Sequence, residues 1–121
     1  MVTSELSVRE LCEWAGGQAE RLRRGLSEEA GGYPAFVLAQ AAKLAEEVGE
    51  LQAEVLGQAG YQRRAKGGFT PEGMAGELAD VLICTAILAV SHGVDLGRAV
   101  ADKIERIEER DLPGVTGGLV D

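Results

Sequence analysis

An all-α fold, a bundle of about four helices, is what this sequence predicts, and three observations carry that reading. Apolar residues recur at helical spacing along four segments. Gly and Pro punctuate the gaps between those segments, and the composition is rich in Ala, Leu, Val and Glu but poor in aromatics. Two acidic pairs of one shape, Glu47-Val48-Gly49-Glu50 and Glu77-Leu78-Ala79-Asp80, sit inside the second and third patterns.

Ser7 and Glu10 have the spacing of a capping box, so a first helix is expected from there to about Glu28. Leu11, Ala15, Leu22 and Leu26 share one face, and Gly16-Gly17 marks a bend or a close helix contact. Ala30-Gly31-Gly32 ends the segment, and Pro34 suits the first turn of a second helix running to about Leu56. Leu44, Val48, Leu51 and Val55 form its apolar stripe, flanked by a second stripe of Lys43, Glu47, Glu50 and Glu54. Glu47 falls at the edge of the core and Glu46 further towards solvent. Gly57 to Gly68 interrupt the pattern with a locally basic loop carrying Tyr61, Arg63, Arg64 and Lys66. Thr70 as cap and Pro71 at the first position restart a third helix, which ends at His92 and Gly93. From Val81 onward it is apolar on nearly every face, as in a helix central to a bundle or buried between subunits. Asp95 caps a fourth helix to about Arg110, with Leu96, Val100, Lys103 and Ile107 on its inner face and Arg110 continuing that face. Residues 1–110 therefore read as one all-α domain, and 111–121, with Pro113 and three glycines, as an irregular tail.

The formal charge of −8 argues against sequence-independent nucleic-acid binding, which needs a basic surface. Cys12 and Cys84 lie in helical apolar patterns and read as reduced structural thiols. Met1 to Ser7 have neither the basic start nor the apolar core of a signal peptide, and the run Val81 to Val90 is too short to span a bilayer. The expectation is a soluble cytoplasmic protein.

Carboxylates three residues apart share a helix face at about 100° per residue. If the second and third helices are neighbours, Glu47, Glu50, Glu77 and Asp80 converge, and four acids in a partly dry cleft repel one another too strongly to stay ionised without cations. Oxygen ligands suit hard divalent ions, Mg²⁺ or Mn²⁺. Read blandly, each acidic pair is a solvated helix face and Lys43 with Glu47 a plain i,i+4 ion pair. Against that stand Asp80, a poor helix-interior residue leading straight into the most apolar segment, and the cations Lys103 and Arg110 on an inner face.

Lys43-Leu44-Ala45-Glu46-Glu47-Val48-Gly49-Glu50-Leu51, then Glu77-Leu78-Ala79-Asp80-Val81-Leu82, then Gly93-Val94-Asp95-Leu96 and Lys103 resemble the MazG-like nucleoside triphosphate pyrophosphohydrolases, over roughly residues 34–110. The resemblance implies Mg²⁺-dependent hydrolysis of an NTP or dNTP to its monophosphate and pyrophosphate, by a homodimer or homotetramer, in sanitation of the nucleotide pool. It matches Glu47, Glu50, Glu77 and Asp80 to the family's metal ligands and Lys103 to a residue facing the phosphates, with Arg110 assisting. Glu46 is a candidate general base and equally a surface residue. Lys43 is a further candidate for substrate binding. Arg63, Arg64 and Lys66 either fold over the triphosphate or form a solvated loop. Trp14, Tyr33 and Phe36 either stack on a base or belong to the core. The chain has no Asn, so an Asn in the nucleotide pocket of the related dimeric dUTPases has no counterpart, and Cys84 stands where relatives often carry a larger side chain. Two alternatives remain: phosphoribosyl-ATP pyrophosphohydrolase chemistry, and a non-catalytic helical interaction module.

Overall fold

The computed structural model of the chain describes residues 5–60 and 70–111. They form α1 (Val8–Arg24), a short 3₁₀ turn (Glu28–Ala30), α2 (Gly32–Gln58), α3 (Pro71–Ser91) and α4 (Leu96–Arg110), with no strand among the described residues. The all-helical reading stands; α1, α3 and α4 start at the capping side chains Ser7, Thr70 and Asp95, while α2 starts at Gly32, two residues before Pro34, with no side-chain cap.

Ser7 and Glu10 close the capping box reciprocally: the Glu10 N–H donates to Ser7 Oγ at 3.0 Å, and the Ser7 N–H donates to Glu10 Oε1 at 2.8 Å. α1 stops at Arg24 rather than near Glu28, because Gly25 caps it and the chain then tightens into the 3₁₀ turn. Gly16 and Gly17 continue the helix with open space where a Cβ would sit, so they mark no close helix contact. Gly31 and Gly32, at φ 105° and 58°, turn the chain into α2 through a conformation that side chains resist.

α2 and α3 form the most extensive helix pair, and α1 packs mainly against α3. The core is small: Leu11 and Ala15 of α1 meet Phe36 of α2 and Ala86 and Ile87 of α3. α2 and α3 run antiparallel. At one end the Tyr33 hydroxyl donates to the Ser91 carbonyl, and at the other Gln58 Nε2 donates to the Thr70 carbonyl at 2.8 Å. This register sets Phe36 near Ser91, Glu47 beside Asp80, and Glu54 beside Gly73.

Two expectations about the apolar faces are corrected. The residues of α2 turned to α3 are Phe36, Glu47 and Glu54, so the stripe Leu44-Val48-Leu51-Val55, rotated from Glu47 by roughly 40–100°, is not core. Val55 is 47% exposed. On α4, Leu96 packs on the core, but Val100 and Ile107 are exposed together with Ile104, which is 50% exposed. Among the described residues α4 touches α1 and α3 but not α2, since it leaves the Gly93 turn beside Val8. Leu22 is likewise exposed, whereas Leu26, just beyond the end of α1, packs against the core.

By length and composition α3 as a whole could cross a membrane, more than the Val81–Val90 run alone indicates. Glu77 and Asp80 lie within it and pack against Glu47, an arrangement that fits a helix seated on protein better than one in lipid.

The start of α3 depends on Thr70, whose Oγ1 accepts the Gly73 N–H at 3.0 Å. Thr70→Ala is expected to lower the unfolding free energy by about 1 kcal/mol in urea denaturation. An unchanged midpoint would show that α3 starts equally well without this cap.

Candidate metal centre

The half of the α2–α3 seam nearest the connecting residues carries the acids. Glu47 is 6% exposed. Its carboxylate, with those of Glu77 and Asp80, offers oxygens that all lie within 4.8 Å of one another. Glu46, Glu47 and Glu50 form a second such group, so Glu47 belongs to both.

Repulsion leaves its mark on this cluster. Glu77, half-buried, has its pKa raised above the ordinary carboxylate value, first by desolvation and then by the charges of Glu50, Asp80, Glu47 and Glu54. Lys43 relieves part of the strain. Its Nζ lies 3.1 Å from Glu47 Oε2 and 3.8 Å from Glu46 Oε1, and the hydrogen bond to Glu47 holds the ammonium's pKa above its usual value. Cys84, one turn beyond Asp80, has its thiol pKa pushed up by burial and then by Glu47. The grouped donors are carboxylate oxygens, which suit a hard divalent cation.

Glu54 fixes the register beneath the cluster, a role the sequence reading missed. Its Oε2 accepts the Thr70 N–H at 3.2 Å, placing a carboxylate at the positive end of α3. Gly73 permits the approach, because a Cβ there would lie 3.0 Å from Glu54 Oε2. The available signal was the position of Glu54 on the Lys43-Glu47-Glu50 stripe.

Of the other candidate residues, Glu46 is on the solvent side of the cluster with its side chain 66% exposed. Lys103 and Arg110 are exposed on α4, which makes no contact with α2, so a single chain does not bring them to the acids through that helix pair. Trp14 lines an apolar groove with Leu6, Leu11, Ala79, Leu82 and Ile83, on a different flank of α3 from Glu77 and Asp80. Phe36 is core, and Tyr33 is engaged by the Ser91 carbonyl and by the Arg23 guanidinium 5.4 Å above its ring. Arg63, Arg64 and Lys66 lie outside the described residues.

Four helices with an acidic cluster between an antiparallel pair define an all-α protein of the carboxylate-site type. Residues 37–115 match the model of the MazG nucleotide pyrophosphohydrolase domain, and the chain belongs to that family. The match begins inside α2, so α1, which completes the core, precedes it. No curated protein matches the chain. Membership carries nucleotide pyrophosphohydrolase activity as the general function, and family enzymes are generally dependent on divalent metal.

Because the folded pKa of Glu77 is raised, the native state holds more protons than the unfolded chain between the ordinary carboxylate value and that raised value. The contribution of this group to stability is present at lower pH and is lost as pH rises through that window. Glu77→Gln is therefore expected to raise the Tm of the metal-free protein at neutral pH and to diminish the rise on adding Mg²⁺. A lower metal-free Tm would contradict this electrostatic account.

Proposed function

We propose that the protein hydrolyses a (d)NTP to the nucleoside monophosphate and pyrophosphate, using Mg²⁺ or Mn²⁺ held by Glu47, Glu50, Glu77 and Asp80. The observation that carries this reading is the convergence of the Glu47, Glu77 and Asp80 oxygens within 4.8 Å in the family-matched segment. A bound divalent ion would neutralise phosphate charge and lower the pKa of a coordinated water.

The chain's own groups then have separable tasks. Glu47, buried and paired with Lys43, orients the cluster. Glu46, close to Glu47 yet open to solvent, is placed to accept the proton of the attacking water. The α–β anhydride bond breaks, and the electron pair leaves with pyrophosphate. Lys103 and Arg110 are cations for the phosphates if α4 of another copy presents them. Exposed Leu78, Leu82, Val55, Val100, Ile104 and Ile107 support assembly as a homodimer or homotetramer, with Leu82 56% exposed. Free Cys12 and Cys84 are in keeping with a cytoplasmic setting, and the reaction suits a role in nucleotide-pool sanitation.

A panel of dNTPs with Mg²⁺ is expected to yield monophosphate and pyrophosphate, and release of orthophosphate would overturn the cleavage position. Asp80→Ala is expected to abolish turnover with helicity retained by circular dichroism. Retained activity would remove Asp80 from the site. Light scattering at micromolar concentration is expected to give a mass of two or more chains, and a monomer would refute the assembly.

A further inference from the structure

Glu47 is the one buried charged residue among the described residues, and it belongs to both acidic groups. Removing a carboxylate from water is costly without a counter-charge. The counter-charge in this structure comes from Lys43, one turn earlier on α2, at 3.1 Å. That ammonium contacts an oxygen of the same carboxylate that a divalent ion would share. Two cations competing for one carboxylate repel each other, and the repulsion is strong where water is partly excluded.

Lys43 is able to leave. Its side chain is 52% exposed, and its ion pairs are to Glu47 and, more loosely, Glu46. The register places it next to the acids on the side towards Phe36 and away from the α2–α3 connection. The Lys43 backbone lies only about 6 Å along the helix axis from that of Glu47, so a released ammonium can still reach a phosphate bound at the acids.

We propose that Lys43 is a resident counter-ion that exchanges partners: it neutralises Glu47 in the metal-free protein and passes to a nucleotide phosphate when a divalent ion takes the carboxylates. This rests on the pyrophosphohydrolase reading and adds a coupling to it. The Lys43–Glu47 pair opposes metal binding in the absence of nucleotide. A phosphate offers the displaced ammonium a new anion, so metal and nucleotide favour each other reciprocally.

The experiment is isothermal titration of wild-type, Lys43→Met, Lys43→Arg and Arg98→Met proteins. Each is titrated first with Mn²⁺ alone, then with a dNTP analogue non-hydrolysable between the α and β phosphates, at saturating Mn²⁺. Lys43→Met is expected to bind Mn²⁺ about two- to fivefold more tightly, the scale of one partly exposed ion pair, and to bind the analogue more weakly by a similar factor. Lys43→Arg keeps the charge and is expected to stay near wild type in both. Arg98→Met removes an equal charge that pairs with Asp102 on α4 and is expected to leave Mn²⁺ affinity unchanged. Should Lys43→Met fold only with Mn²⁺, shown by circular dichroism, the counter-ion role is supported directly. Unchanged or weaker Mn²⁺ binding by Lys43→Met, or an equal gain in Arg98→Met, overturns the exchange while leaving the metal site standing. Absence of Mn²⁺ binding by the wild type overturns the metal site and the exchange together.

Discussion

Mutual repulsion of carboxylates on the seam between α2 and α3 is the constraint around which the rest of this structure is arranged. Glu47, Glu77 and Asp80 would drive the two helices apart, and each end of the pair is held by something else. At one end Phe36 and Ile87 are packed under α1. At the other, Glu54 and Gln58 tie α2 to Thr70 at the start of α3. The acids lie between these two anchors, held close together by the contacts on either side of them. Lys43 supplies the local counter-charge. The arrangement trades stability for a site, as groups kept under strain at functional positions commonly do.

The same arrangement accounts for the apolar surface. α2 spends the lower part of its α3-facing stripe on acids, so its richest apolar stripe, Leu44 to Val55, turns away from α3. α4 is anchored by Leu96 and then presents Val100, Ile104 and Ile107 to the outside. The described helices leave these faces uncovered, and in the proposed assembly a second copy offers equivalent faces to pack against them. The candidate metal centre and the proposed assembly thus share one origin in how α2 is rotated.

Much of this was legible in the residues. Ser7, Thr70 and Asp95 announced helix starts, because capping is a local interaction with a fixed spacing. Glu47, Glu77 and Asp80 were readable because a three-residue interval leaves a helix no choice of face. The rotation of α2 was not readable: its apolar stripe is stronger than its acidic one, and hydrophobic patterning assigns the stronger stripe to the core. Only the register that Glu54, Gly73 and Gln58 impose reverses that assignment, and those contacts join residues far apart in sequence. The course of α4 was hidden for the same reason, since spacing identifies an inner face without saying whether that face meets its own chain or another.

The central claim is that the Glu47, Glu50, Glu77 and Asp80 carboxylates share a cation on this seam. Anomalous diffraction from crystals soaked in Mn²⁺ tests it most directly. The account expects a peak on the seam about 2–2.5 Å from oxygens of those carboxylates, with Lys43 drawn away from Glu47. A well-diffracting, Mn²⁺-saturated crystal with the ion elsewhere, or with none on the seam, would contradict it.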